Sequence, residues 1–305
     1  QELPDSQLEE QVVPVLYRPF DVRWIFYHDS VVWRTVKRVM RHMLAGENVA
    51  LMLPRRVEHI GAWRHAFVTN AISDHVAVSL KTIDYHFPLY LYPETKDARK
   101  KGREKLAGVA KALMLFEPAA KYTSRVPNLS PLLVEALEKA FKKEVAPEEI
   151  FHYTYAVLYS PAYREKYAQF LKMDFPRIPF TADFGLFKKL GKLGERLAAL
   201  HLLKSKELDP PQCRFDGKGD GLVAKGRKAG LRYEPGEKRV YINAAQYFAP
   251  VAEAVWTYRV GGYQVCEKWL KDRHERHLEA DDIRAYCRIV TALGLTIGIQ
   301  REIAA

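Results

Sequence analysis

Short apolar or alternating runs separated by polar turns fill the first third of the chain. Trp24 to His28, Asn48 to Leu53, His65 to Thr69, Val76 to Leu80 and Pro88 to Tyr92 read as strands of a mixed sheet. Between the first two, Val32, Val36, Val39, Met40, Met43 and Leu44 fall on one side of a helix, with Gly46 just past its end as a C-cap. From Lys96 to about Leu203 the period becomes helical. Ser130 is predicted to cap a helix starting at Pro131, with Leu133, Ala136, Leu137, Ala140 and Phe141 inward; further helices are predicted at Glu148 to Tyr159, Pro161 to Leu171 and Asp183 to Leu203. Ser160-Pro161 marks a break between helices, because a serine hydroxyl accepts a free amide and proline at the first helical position loses no hydrogen bond. Phe175 to Pro179 then reads as an extended connector.

Beyond Arg214, glycines and basic residues precede the alternating stretch Lys238 to Ile242, a hairpin expected to return to the first sheet. Tyr263 to Ala304 reads as helical. The expected fold class is α/β: an N-terminal mixed sheet with a helix, a helical middle layer, and a C-terminal basic hairpin with helices packing back. The expected divisions are a linker over residues 1–16, an α/β recognition core over 17–95, a helical subdomain over 96–204, and a hairpin-and-helix region over 205–305. The chain begins at Gln1 in a polar acidic stretch, so an excised C-terminal fragment is expected.

Charge changes this picture. Forty-eight Lys and Arg against thirty-seven Asp and Glu give +11 over 305 residues, which favours a polyanionic partner. Three cysteines without a Cys-x-x-Cys pair indicate neither a disulfide framework nor a zinc site, and a reducing cytoplasm fits them. The longest late apolar run, Ile289 to Ile299, is too short to cross a bilayer, so no membrane partner is expected.

Several motifs fail as catalytic sites. Asp209-Pro210-Pro211-Gln212 carries the acid and prolines of an adenine-methyltransferase motif, but Gln212 cannot stack on a flipped base, and no glycine-rich cofactor loop lies upstream. It reads as a connector. The glycines from Gly217 to Gly226 lack the Gly-Lys-Ser or Gly-Lys-Thr of a phosphate loop. Ser73-Asp74-His75 cannot align as a triad from adjacent positions and reads as a turn. His274 and His277, three apart on a predicted helix, have no accompanying carboxylate motif and no Glu at the zincin position, and read as solvated histidines beside Arg273 and Arg276.

Binding candidates are more numerous. Arg34, Lys37, Arg38 and Arg41 recur at helical spacing as one cationic stripe without interleaved acids, a geometry suited to phosphates on one strand. Arg55, Arg56 and Arg64 around the next loop are candidates for bidentate contact with guanine, and Asn70 and Gln264 for contact with adenine. Lys218, Lys225, Arg227 and Lys228 sit on an expected mobile basic loop. Tyr153, Tyr155, Tyr159, Tyr163 and Tyr167 have the spacing of a core stripe, with base stacking as the rarer alternative.

The stretch Ile150 to Phe180, with its Ser160-Pro161 and Phe175-Pro176-Arg177-Ile178-Pro179 signals, resembles the C-terminal specificity region of Type ISP restriction-modification enzymes. Further matches occur in the same order: Tyr17-Arg18-Pro19-Phe20-Asp21 through Arg23-Trp24, Phe67-Val68-Thr69-Asn70, Phe87 to Pro93, and Val260-Gly261-Gly262-Tyr263-Gln264-Val265 with Glu267 to Lys271. Trp33 to Arg38 and Arg273 to His277 depart from it. The resemblance implies a non-catalytic module that reads duplex DNA, with Tyr263 joining Gln264 among its candidate contacts. It would position a target adenine for methyltransferase and nuclease-translocase domains upstream in the same polypeptide. No cofactor is expected in the chain itself; S-adenosylmethionine, ATP and magnesium belong to the parent. Competing readings are a stand-alone nuclease and a protein-interaction module of the same system.

Overall fold

The computed structural model describes residue 8 and residues 11–58, 61–93, 125–226 and 230–304. The fold is mixed α/β, with small sheets laid against a helical layer. Strands β1 (Val12–Arg18) and β2 (Asp21–Phe26) form an antiparallel pair, and β1 also pairs in parallel with β5 (Ile72–Ser73). A second sheet has the order β4 (Phe67–Thr69), β3 (Ala50–Pro54), β6 (Asp84–Pro88), all antiparallel. Strand β3 is buried throughout, as its apolar Ala-Leu-Met-Leu run requires when both faces are covered. The short strands β7 (Tyr90–Leu91) and β8 (Val126–Pro127) pair beyond it. Helix α1 (Lys37–Leu44) precedes β3.

The helical layer is built from α2 (Pro131–Phe141), α3 (Pro147–Tyr159), α4 (Pro161–Lys166), α5 (Phe170–Met173) and α6 (Phe184–His201). Ser160 Oγ accepts the Tyr163 amide at 3.3 Å, which gives the break after α3 its expected chemistry. Tyr153, Tyr155, Tyr159 and Tyr163 are buried, so the core reading of that stripe holds. Helices α3 and α6 pack closely because Gly194 has no side chain: a Cβ there would stand 1.8 Å from the His152 carbonyl oxygen.

After a 3-10 turn the chain forms a four-stranded antiparallel sheet, β9 (Arg214–Asp216), β10 (Arg232–Glu234), β11 (Arg239–Tyr241) and β12 (Tyr247–Ala249), in the order β10-β11-β12-β9. Helix α7 (Glu253–Trp256), the hairpin β13 (Arg259–Val260) and β14 (Tyr263–Gln264), α8 (Val265–Lys271) and the long α9 (Ala280–Ala304) complete the chain. Asp21, 2% exposed, accepts Arg273 Nη2 at 3.1 Å, and Arg273 also donates to Asp282, so the first strand pair is clasped to the last helices. Burying such a pair is costly unless both ions stay fully bonded.

Several expectations are corrected. The linker over residues 1–16 becomes strand β1 from Val12 onward. Val76 to Leu80 is a loop, because the Asp84 carboxylate accepts the amides of Val78 and Ser79 at 2.7 and 3.1 Å and takes them out of sheet pairing. Helix α1 starts only at Lys37, since Val36 at φ 46° is left-handed and breaks the predicted turn before it. Its C-cap is Ala45, with Gly46 tight against the Tyr92 ring instead. Ser130 holds the N-cap position of α2 without a side-chain hydrogen bond, and Ala136 and Ala140 are exposed. The helix from Pro161 ends at Lys166. The Lys238 to Ile242 run joins the four-stranded sheet instead of the first one. Tyr263 and Gln264 are strand residues, and a break separates α8 from α9. His274 and His277 fall in that break, where His277 bridges Leu222.

Three interior histidines make stability depend on pH. His201 Nδ1 lies 2.6 Å from the Tyr155 hydroxyl and Nε2 lies 2.9 Å from Thr296 Oγ1. Thr296 donates onward to the Ala292 carbonyl, so His201 Nε2 donates to Thr296 and Nδ1 accepts from Tyr155, the neutral tautomer. Burial, with Arg164 nearby, lowers the His201 pKa to about 3; burial foremost takes His42 and His86 to about 4. The unfolded chain binds these protons near pH 6.5 and the folded chain does not, so stability present above 6.5 is lost as pH falls. Asp84 acts in the opposite sense: burial raises its pKa to about 7, and its contribution is lost as pH rises. Denaturation at pH 7 and pH 5 is expected to show a net loss at pH 5, about 2 kcal/mol of it from His201. A His201→Gln variant, which keeps polar partners but cannot titrate, should lose correspondingly less, and an unchanged loss would refute the assignment.

Candidate nucleic-acid interface

The loop leaving β3 carries Arg55 and Arg56 to the surface, where two other segments brace it. The Val57 amide donates to the Lys172 carbonyl at 3.0 Å, and Thr82 Oγ1 donates to the Arg56 carbonyl at 2.8 Å. Asp174, at the end of α5, accepts Arg55 Nε at 3.0 Å through Oδ1, which also accepts the Phe175 amide at 3.0 Å. The Arg55 hydrogen bond, the Phe175 amide and the neighbouring charge of Arg177 hold Asp174 below the usual carboxylate range. Neither terminal nitrogen of Arg55 has a hydrogen bond among the described residues, so both remain available in a fork.

Aromatic rings flank this fork. Tyr85 and Phe87 stand on one face of β6, and Phe175 meets both edge-on with centroids 5.2 and 5.3 Å apart. Phe170 on α5 is 67% exposed, and Arg177 on the connector is also exposed. A basic and aromatic surface results, assembled from three separated stretches of chain. Sequence reasoning found Arg55 and Arg56 there but missed Asp174, Arg177 and the rings. The carboxylate following Lys172-Met173 gave no local signal of its partner.

The other candidates are dispersed over different elements. Arg34 precedes α1 and stacks on the exposed Trp33 ring at 4.6 Å, so it does not share the helical stripe with Lys37, Arg38 and Arg41. Lys37 is neutralised by Asp29, an acid brought in by the preceding turn, and Arg41 donates to the Tyr92 carbonyl at 3.1 Å. Arg38 is exposed. Arg64 is half-buried in a separate cleft. Asn70 is exposed beside a hollow that also contains Arg125, Glu148 and Lys204.

Lys218 is exposed in the glycine-rich turn, and Lys225 pairs with Glu275. Arg227 and Lys228 lie outside the described residues. Tyr263 is a core residue: it is 7% exposed and its hydroxyl donates to the Val76 carbonyl at 2.9 Å, which removes it from any outer surface. Gln264 Nε2 is taken up by the Trp256 carbonyl at 2.9 Å.

The rejected motifs stay structural. Asp209 pairs with Arg288 at 3.3 Å and the Gln212 amide donates to Thr291, so the Asp209 to Gln212 connector is pinned to α9. Ser73 Oγ donates to the Asp74 carbonyl, while Asp74 pairs with Arg18 at 2.7 Å. Among the described residues no group of three or more His, Cys, Asp or Glu is placed to hold a metal ion. No helix among them is long and apolar enough to cross a membrane.

The sequence model of one family, the Type ISP C-terminal specificity domain, matches residues 1–299. This chain belongs to that family. The Type ISP specificity domain shares its fold with parts of three solved structures. The DrdV–DNA complex superposes with a TM-score of 0.70 at 23% identity, over 96% of this chain and 28% of that one. The Type ISP enzyme LlaBIII bound to DNA gives 0.70 at 16% identity, over 99% and 19%. A nuclease-deletion mutant of the Type ISP enzyme LlaGI with a DNA substrate mimic gives 0.64 at 16% identity, over 96% and 20%. This Type ISP specificity domain therefore spans less than a third of any of the three chains it superposes on. No curated protein sequence matches the chain.

Proposed function

We propose that this Type ISP specificity domain reads the base sequence of duplex DNA and holds the duplex so that a target adenine reaches an N6-adenine methyltransferase domain of the same polypeptide. The observation that carries the reading is the Arg55–Asp174 contact. A guanidinium held through Nε keeps two parallel donors pointing outward, the arrangement that matches O6 and N7 of guanine in the major groove. Arg56 and Arg177 extend the donor surface, and the exposed rings beside it offer apolar contact to bases. The three similar structures, each containing DNA or a DNA mimic, support a DNA partner. Methyl transfer, translocation and cleavage belong to the other domains, with S-adenosylmethionine, ATP and magnesium. The chain contributes recognition alone.

Fluorescence anisotropy with labelled duplexes at increasing salt tests the reading. With about six phosphates contacted, log affinity is expected to fall against log salt with a slope of roughly −5. An Arg34→Ala, Arg38→Ala double variant should bind all sequences more weakly by a similar factor and flatten that slope by about two contacts. No binding at low salt, or a flat salt dependence, would overturn the DNA reading. Metal-dependent nicking by the chain alone would favour a nuclease instead.

A further inference from the structure

A second cationic site lies away from the Arg55 surface. Between α4, the hairpin region and α9 is a cleft of about 630 Å³, lined by Trp63, Arg64, Arg164, Tyr258 and Gln300. Arg164 sits over the Tyr159 ring at 4.5 Å, with Trp63 at 5.8 Å, and its Nε donates to the Leu158 carbonyl at 2.5 Å. That geometry fixes the guanidinium in a largely apolar wall. Its Nη2 is buried with no hydrogen-bond partner, and so is Nε1 of Trp63, which is 1% exposed.

Desolvating a cation without a counterion is expensive, and leaving two buried donors unpaired adds to the cost. Among the described residues no carboxylate lies within 4.0 Å of either the Arg64 or the Arg164 guanidinium. The one acid in the cleft wall, Glu165, is exposed at its edge. The charge of Arg164 is felt inside the fold, where it disfavours protonation of His201 and lowers the pKa of Tyr159 and Tyr258 against the effect of their burial. Tyr258 donates to Gln300 Oε1 at 3.1 Å and Gln300 Nε2 donates to the Tyr159 carbonyl at 3.2 Å, which leaves the Tyr159 and Tyr258 hydroxyl oxygens to face Arg164. These oxygens are neutral, so among the described residues no counterion balances the Arg164 charge.

We infer that this cleft is a phosphate site, in which the Arg64 and Arg164 guanidinium groups in its wall hold one phosphate group. Nitrogen donors and two guanidinium groups select an oxyanion, and the open mouth admits a phosphodiester as well as a free ion. Phosphate can come from the backbone of bound DNA, which rests on the function proposed above, or from free phosphate, which does not.

Two measurements separate these sources, using the whole 305-residue chain. Thermal melts in inorganic phosphate are compared with melts in chloride at equal ionic strength; occupancy of the cleft should raise Tm by about 2 °C or more. Arg64→Gln should abolish that rise while melting normally in chloride. Arg164→Lys is less informative, because Arg164 also packs against Tyr159. In DNA binding, Arg64→Gln should reduce the steepness of the salt dependence by about one and leave base preference unchanged.

A phosphate response with an unaltered salt slope assigns the cleft to free phosphate, and a reduced slope assigns it to the DNA backbone. If the chain binds no DNA, the function proposed above fails while the melts still decide the cleft. Absence of both effects, as when water alone satisfies the donors, overturns the inference.

Discussion

An Arg55→Ala, Arg56→Ala double variant is expected to lose its preference for the cognate duplex while still binding DNA in general. Each bidentate grip on a guanine is worth about 1 to 3 kcal/mol of discrimination, so one lost grip lowers the ratio of cognate to scrambled affinity by about 5- to 150-fold. Binding to scrambled duplex should change far less, because the remaining cations still meet phosphates that carry no base identity. An Asp174→Asn variant is the sharper probe. It leaves both arginines in place but weakens the charged hydrogen bond that orients Arg55, so specificity should fall partway and the salt slope should stay within one contact of wild type. The cognate site is first selected from random duplexes, and competition between selected and scrambled sequences then gives the ratio. An unchanged ratio in the double variant would remove this loop as the reading element and leave the Lys218 turn as the next candidate.

Gly194→Ala is expected to be the most damaging single-methyl change in the helical layer. The added carbon would stand 1.8 Å from the His152 carbonyl oxygen and 3.2 Å from the Ala156 amide nitrogen, both on the facing helix backbone. No side-chain rotation relieves a backbone clash, so α3 and α6 must move apart and loosen Leu158, Leu197 and Leu200, all fully buried. Overpacking of this kind costs about 3 kcal/mol or more, although alanine favours an isolated helix over glycine by about 1 kcal/mol. Urea denaturation measures the difference. Gly298, on an open part of α9 where an added methyl would meet no atom within 4 Å, is the control, and its alanine variant should be neutral or slightly stabilising.

What was legible in the sequence was local chemistry. Ser160-Pro161 and Pro131 mark helix starts because proline at the first turn constrains only its own neighbourhood, and the tyrosines of α3 show their burial through helical spacing. Membership of a specificity-domain family was legible too, since its motifs are short contiguous strings. The misreadings involve partners remote in sequence or unusual backbone. Val76 to Leu80 has the apolar character of a strand, yet its amides are claimed by Asp84. Val32 and Val36 fit a helical face, but Val36 sits in the left-handed region where β-branched residues are rare. Tyr263 and Gln264 looked available because a motif shows residue types and not their hydrogen-bond partners. The Asp174 that steadies Arg55 lies 119 residues further along the chain, beyond the reach of any periodicity.

The clasp between Asp21 and Arg273 also bears on the order in which the domain is completed. Its two halves are separated by 252 residues. At roughly 5 to 20 residues per second, a ribosome needs about 10 to 50 s to make the second half after the first. Of the two guanidinium groups that meet Asp21 in the fold, Arg23 has been made during that interval and Arg273 has not, and the first strands wait without the helices that cover them. Completion of this domain is therefore a late event in synthesis, and an unfinished chain cannot yet close its own beginning.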